Sequence, residues 1–373
     1  MENKKARIIA FYLPQFHPIP ENNKWWGKGF TEWTNVGKAI PLFKGHYQPR
    51  VPADLGYYDL RMPEVREAQA EMAREAGIEG FMYWHYWFGN GKMVLERPFK
   101  EVLKSGKPDF PFALGWANHL WRTHDWNPTS LEHKEAIIAE QLYPGEKDYT
   151  DHFFYVLDAF KDKRYLTIDG KPIFYIFDPT ASPEISKFIS LWRKLALENG
   201  LPGIHFIGRS HGWLSKNKVI LDVGVDSVNS VGEWRAESIV SGKWLNMLRH
   251  TIVEKFGGLI LKKYSYKEIS KYLFTKEDEA ENIYPSIVPQ WDRSPRSGRK
   301  AIIYYGSTPE LFGQHLEDAL NRIKNKQDEH KIIFLKSWNE WGEGNYVEPD
   351  LKFGKGYLNE IKKRVLTNHD EQL

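Results

Sequence analysis

The sequence predicts a single (β/α)8 barrel, and three observations predict it. Eight short apolar, β-branched runs alternate with segments of helical pattern, which is how parallel strands joined by crossover helices read. Each run ends in a cluster of polar and aromatic residues, as barrel strands do where they lead into site-bearing loops. The 373 residues exceed the roughly 250 of a plain barrel but stay within the range that insertions reach.

In chain order, Ala6 to Phe16 reads as a first buried strand broken by Pro14. A long aromatic loop, Trp25 to Trp33, comes next. Pro63 to Ala76 is a helix, with proline at its start and Gly77 past its end. Gly80 to Tyr86 is the second strand and runs into Trp87. Phe110 to Trp116 is the third, ending in Asn118, His119 and Trp121. A helix around Tyr149 to Phe160 leads to the fourth strand, Pro172 to Phe177, which ends at Asp178. Ser182 caps the next helix, with Pro183 at its first position and Gly200 at its end. Gly203 to Gly208 is the fifth strand and ends in Arg209. Val225 to Val231 is the sixth and ends at Glu233 and Trp234. Residues 236–282 form an insertion that reads as mostly helical from its Lys, Glu and Leu content. Pro285 to Pro289 is the seventh strand, ending in Gln290, Trp291 and Asp292. Ser307-Thr-Pro-Glu310 reads as a capping box that opens a helix to about Lys324. Lys331 to Leu335 is the eighth strand, and a helix over Tyr357 to Leu366 closes residues 1–373 as one domain.

Composition narrows the function. The net charge is +3 with Lys and Arg scattered, so no nucleic-acid footprint appears. Without cysteine there are no disulfides and no Cys-ligated zinc. No apolar run approaches the roughly 20 residues of a membrane span. The run Ile8 to Leu13 is too short for a signal peptide, so a cytoplasmic location is the default. The anomaly is aromatic: 15 Trp, 19 Tyr and 21 Phe. All tryptophans except Trp192 and Trp244 fall at or just beyond a predicted strand end. Rings gathered on the catalytic face suggest stacking platforms for sugars; the plainer alternative is that they plug the barrel mouth.

The chemistry concentrates after the eighth strand, in Ser337-Trp-Asn-Glu-Trp-Gly-Glu-Gly344. Glu340 and Glu343 sit between tryptophans at a strand end, where two carboxyl groups could serve as the acid and base of glycoside hydrolysis. The expected substrate contacts are Trp33, Tyr83, His85, Trp87, Asn118, Asp178, Arg209, Glu233, Trp291, Asp292, Asn339 and Trp341. Glu32 is a further carboxylate on that face, expected to touch substrate or support the pair. The expected partner is an oligosaccharide or polysaccharide, with no cofactor and no metal. His85, His119, His124 and His211 lie at strand ends but lack any ligand spacing such as His-Glu-x-x-His.

Phe11-Tyr-Leu-Pro-Gln-Phe-His17, Gly29-Phe-Thr-Glu-Trp-Thr-Asn35 and Ser337-Trp-Asn-Glu-Trp-Gly-Glu-Gly344 resemble the WbsX-type family of bacterial surface-polysaccharide biosynthesis, nearly end to end. That family is similar to glycoside hydrolase family 99, endo-acting α-mannosidases and mannanases, which shares Asn-Glu-Trp-x-Glu-Gly. The resemblance implies retention through a 1,2-anhydro sugar. Glu340 would deprotonate the substrate's own 2-hydroxyl, and Glu343 would be the acid that then becomes the base. The chain departs from family 99 in having Gly342 where His is usual, and in its first-strand motif.

Three rivals stand against a hydrolase. WbsX-type proteins are often labelled glycosyltransferases, but Asp-x-Asp, Walker and Gly-x-Gly-x-x-Gly motifs are all missing. Gly208-Arg-Ser-His-Gly212 fits the esterase pattern Gly-x-Ser-x-Gly, yet the segment after it is a poor helix. A non-catalytic sugar-binding barrel is the third.

Overall fold

The computed structural model describes residues 4–122, 137–210, 217–242 and 260–366, together with 244–245, 247–248 and 251–252. Eight strands form the barrel: β1 Arg7–Tyr12, β2 Gly80–Trp87, β3 Phe112–Trp116, β4 Lys171–Ile176, β5 His205–Arg209, β6 Ser227–Ser230, β7 Ile283–Ile287 and β8 Ile332–Leu335. Each pairs in parallel with its neighbours, and β1 closes the ring by pairing with both β2 and β8. Ile9 lies opposite Gly80 on one side and Phe334 on the other. All eight strands coincide with the expected ones to within a few residues.

Around the ring stand α1 Pro63–Glu75, α2 Arg97–Ser105, α3 Glu146–Phe160, α4 Glu184–Glu198, α5 Glu233–Ser241, α6 Pro309–Ile323 and α7 Gly356–Val365. The Ser182 hydroxyl accepts from the Glu184 amide (3.2 Å) and so opens α4 as expected. The cap of α6 is Thr308 rather than Ser307: Thr308 Oγ1 accepts from the Leu311 amide, while Ser307 Oγ donates to the Pro289 carbonyl. The described residues of the insertion after β6 include the helical turns Tyr266–Ile269, Ser270–Tyr272 and Lys276–Glu279, and one strand. Lys262–Ser265 is a strand paired with Ile302–Tyr305, which pairs in turn with Trp291–Asp292. This small sheet lies beside the barrel's C-terminal end and fixes the backbone of Trp291.

The core has two shells, and strand alternation sorts residues between them. Phe11, Trp84, Tyr175 and Phe334, from β1, β2, β4 and β8, meet inside the ring with centroid separations of 4.7 to 5.8 Å. The outward residues pack on helices: Trp192 of α4 against Phe174 (4.6 Å), and Phe188 of α4 against Trp116 (4.9 Å). Among the described residues no helix is long and apolar enough to cross a membrane.

Candidate functional site

A pocket of about 500 Å³ opens at the C-terminal ends of the strands, with the inner aromatic layer as its floor. That is the volume range of sites for small ligands. Its wall is made by the segments beyond the strand ends: Arg209 after β5, Glu233, Trp234 and Glu237 of α5, Trp291 and Arg293 after β7, and Lys336 to Glu343 after β8.

Arg296 is the hub of the polar end. It sits in the short helix Ser294–Ser297, with its side chain only 5% exposed. Its Nε and Nη2 donate to the two oxygens of Glu32, both at 3.0 Å. The third nitrogen, Nη1, lies 3.1 Å from Glu340 Oε1 and 2.8 Å from Glu343 Oε1. A planar guanidinium with five donors can hold three carboxylates in this way, whereas an ammonium could not fix their relative orientation. Ser337 Oγ donates to the other oxygen of Glu340 (3.1 Å), and Arg293 forms an ion pair with Glu343 (3.1 Å).

These contacts separate the two carboxyl groups electrostatically. Burial and the neighbouring Glu343 push the Glu340 carboxyl up, and Arg296 offsets this only in part. Burial pushes Glu343 up as well, but Arg293, Arg296 and Lys336 outweigh it and hold Glu343 well below the usual carboxylate range. The two carboxyl groups are thus pushed in opposite directions, Glu340 up and Glu343 down.

The turn that carries the pair is locked from behind. Asn339 Oδ1 accepts from the Leu13 amide (2.8 Å) and its Nδ2 donates to the Leu13 carbonyl, tying the turn to the end of β1. Trp341 is buried, stacked on Tyr346 at 3.7 Å, and donates its Nε1–H to Glu348 (2.6 Å). Glu348 also accepts from Tyr58 Oη and Gln69 Nε2, and burial raises its carboxyl to about 7. Gly342 permits the arrangement. A Cβ built there would come within 1.5 Å of Glu32 Oε1 and 3.0 Å of Arg296 Nε.

Of the expected site residues, the structure brings Glu340, Glu343, Arg209, Glu233 and Trp291 to one pocket. Tyr83, His85 and Trp87 are corrections, and one cause covers all three. Their side chains leave β2 on the outer face: Tyr83 packs on Phe99 of α2, His85 bonds His152 of α3 (2.8 Å), and Trp87 stacks on His152 (4.5 Å). Trp84 and Tyr86, one residue out of phase, line the pocket instead.

Six more expected contacts hold the scaffold. Asn118 bonds both the amide and the carbonyl of Asp178, clasping the segments after β3 and β4. The Asp178 carboxylate accepts from Thr180 in a local turn. Asp292 is buried, accepts from His46 and Gln48 (both 2.8 Å), and so fastens the 46–50 loop to the segment bearing Arg296. Asn339 and Trp341 lock the turn as described. Trp33 donates to the Tyr58 carbonyl (2.8 Å) and packs on Trp341 without lining the pocket. His119 lines the pocket, while His124 and His211 lie outside the described residues. Ser210 is buried, its Oγ 3.3 Å from the Val231 amide. Among the described residues no cluster of His, Asp and Glu could hold a metal ion. Arg296 went unanticipated; the signal for it was Arg293-Ser-Pro-Arg296, two cations three residues apart just beyond a strand end.

The family model described as Glycosyltransferase WbsX matches residues 8–361. Two proteins called "Uncharacterized protein WxcX", from two strains of Xanthomonas campestris pv. campestris, are each 32% identical over 365 residues. The match takes in 98% of this chain, but the chain spans only half the length of those curated relatives. Among solved structures, a "Glycoside hydrolase-like protein" aligns over 99% of this chain and 96% of its own, with a TM-score of 0.62 and 15% identity. The GH99 endo-alpha-mannosidase from Bacteroides thetaiotaomicron aligns over 97% and 96%, with a TM-score of 0.57 and 14% identity. At such identities the likeness is one of fold: a TIM barrel of the family 99 kind.

Proposed function

The chain belongs to the WbsX family, and from that premise we propose that it is a retaining, endo-acting glycoside hydrolase whose acid/base pair is Glu340 and Glu343. One observation carries the reading. Arg296 Nη1 reaches an oxygen of each carboxylate, at 3.1 and 2.8 Å, so those two oxygens are at most about 6 Å apart. Retaining glycosidases hold their carboxyl groups ~5–5.5 Å apart, and inverting ones ~6.5–9.5 Å apart to admit a water. Two oxygens this close favour the retaining arrangement over the inverting one.

The catalytic cycle takes the family 99 order. Glu340 accepts the proton of the sugar's 2-hydroxyl as O2 attacks C1, and Glu343 gives its proton to the departing glycosidic oxygen. Glu343 then takes a proton from the water that opens the 1,2-anhydro ring at C1, and Glu340 returns its proton to O2. Both carboxyls end as they began. The cycle needs one proton on the pair, and the opposed shifts make Glu340 the group that binds a proton more readily in the free site. A hydroxyl donating to Glu340, and a leaving oxygen accepting from Glu343, select the other placement at the same net charge. Trp84, Tyr86, Trp234 and Trp291 supply ring faces for the sugars.

The family model's name supports a second reading, a glycosyltransferase, and the pocket's four cations Arg209, Arg293, Arg296 and Lys336 suit phosphates. Incubating the protein with α-mannosides and bacterial surface-glycan fragments, with and without nucleotide sugars, separates the two. Cleavage without a donor, with retained anomeric configuration by NMR, is expected. Turnover only when a nucleotide sugar is present refutes the hydrolase.

A further inference from the structure

The wall of the pocket formed by the ends of β5 and β6 carries chemistry that the glutamate pair does not use. Arg209 ends β5, and its guanidinium lies on the Phe177 ring with its carbon 4.3 Å from the centroid. Contact with the ring restricts the guanidinium, and Arg209 lines the pocket. Among the described residues no carboxylate lies within ion-pairing distance of this guanidinium. The nearest candidates are already engaged. Glu233 accepts the Lys336 ammonium at 2.7 Å, and Glu237 accepts the Tyr304 hydroxyl at 2.8 Å. Lys336 is held further by the face of Trp291, 3.9 Å away. Arg293 and Arg296, the other cations of the pocket, are paired with the glutamates.

Among the described residues Arg209 thus lines the cavity with no carboxylate in ion-pairing contact, and Glu233, on which it acts only at longer range, is already bonded to Lys336. Covering Arg209 with a neutral sugar strips its water and returns no counter-charge, which is costly for a cation in a low-dielectric site. A carboxylate matches the planar donor edge and forms paired N–H···O⁻ bonds. Extending the hydrolase reading above, on which this step rests, we propose that the substrate is an acidic glycan, with the carboxylate of a hexuronic acid seated on Arg209. β5 and β8 lie three places apart in the eight-stranded ring, so Arg209 faces the glutamates across the mouth. The uronic acid then occupies a different position from the sugar whose bond is cut.

The test is binding of bacterial capsular oligosaccharides that contain glucuronic or galacturonic acid, each paired with its carboxyl-reduced derivative, measured by calorimetry. The wild type should bind the acidic member roughly tenfold to a hundredfold more tightly, the size of a charge-assisted hydrogen bond or two. Arg209→Gln should erase that ratio and Arg209→Lys should keep part of it, with thermal unfolding showing that both variants fold. Equal binding of the paired sugars by the wild type, or an unchanged ratio in Arg209→Gln, overturns the proposal. Inorganic pyrophosphate and uridine diphosphate form a further arm. If they bind through Arg209 and the acidic sugars do not, the subsite is a phosphate site and the proposal falls. If the acidic sugars bind through Arg209 but none is cleaved with or without a donor, the subsite stands and the hydrolase reading fails alone.

Discussion

Replacing Arg296 by methionine removes the hub of the site while keeping most of its volume. Three carboxyl groups then lose their common partner: Glu32, fully buried, and Glu340 and Glu343, 14% and 12% exposed. Removing one partner of a buried ion pair costs about 3–5 kcal/mol, because the remaining charge is left without compensation. The lower part of that range applies here, since burial already raises the Glu340 carboxyl in the wild type and Glu343 keeps Arg293. With an unfolding entropy of about 2.1 cal/mol/K per residue, 373 residues give about 0.8 kcal/mol/K. A loss of about 3 kcal/mol then lowers Tm by about 4 °C. The effect depends on pH with a definite sign. In the wild type Glu343 titrates below its unfolded value, so it contributes stability above the unfolded pKa that is lost only as pH falls toward about 2. Without Arg296 the folded-state pKa values rise. The folded variant then binds more protons than the unfolded chain, and its stability falls as pH rises. Differential scanning fluorimetry from pH 4.5 to 8 should show a Tm gap between variant and wild type that widens with pH. A gap under 1 °C, or one flat across that range, refutes Arg296 as the electrostatic centre of the site.

Glu340→Gln and Glu343→Gln should each lower turnover roughly 10²–10⁴-fold, and the double variant should lose little more, because the two groups act as a unit. An aryl glycoside with a very good leaving group should partly rescue cleavage by Glu343→Gln but not by Glu340→Gln; the opposite pattern reverses the roles. Trp291→Ala should weaken oligosaccharide binding at near-constant Tm. Trp33→Ala, which touches Trp341 and not the pocket, should lower Tm with little change in affinity. Gly342→Ala should cost about 1–3 kcal/mol by overpacking, read as a drop in Tm. That cost should shrink in a Glu32→Ala background, because the clash is with the Glu32 carboxylate.

The barrel was legible because its signal is redundant. Eight buried runs such as Ile332–Leu335 and Lys171–Ile176 need only be apolar, β-branched and regularly separated to be recognised. The polar turn after the eighth strand was legible as a candidate site because acids, an amide and indoles crowd the end of that run. Parity was not. Every residue from Met82 to Trp87 is large, and five of the six are aromatic, so no polar–apolar alternation marks which face looks inward. Tyr83, His85 and Trp87 and their neighbours Trp84 and Tyr86 were equally good candidates until the helices outside the ring were in place. Pairings between distant segments were also invisible, since nothing local in Glu32 or Asp292 names Arg296 or His46 as its partner.

The three motifs that carry the family resemblance meet in a single knot, which explains why they occur together. Leu13 of the first is bonded through its amide and its carbonyl to Asn339 of the third. Glu32 of the second grips Arg296 and lies directly over Gly342, while its neighbour Trp33 packs on Trp341. A histidine at position 342, as in family 99, cannot coexist with Glu32 where it stands, because even a methyl group would overlap the carboxylate. The substitution is therefore coupled to its surroundings: Glu32 occupies the space that the side chain would need, and Arg296 gathers Glu32, Glu340 and Glu343 on one cation. Exchanging Gly342 for His alone should accordingly disrupt the site, while exchanging it together with Glu32→Gly, which vacates that space, should recover only part of the lost Tm, because the buried Arg296 then lacks its Glu32 partner. If the single Gly342→His variant keeps wild-type Tm and turnover, Glu32 is not fixed over Gly342 and the coupling between the motifs does not exist.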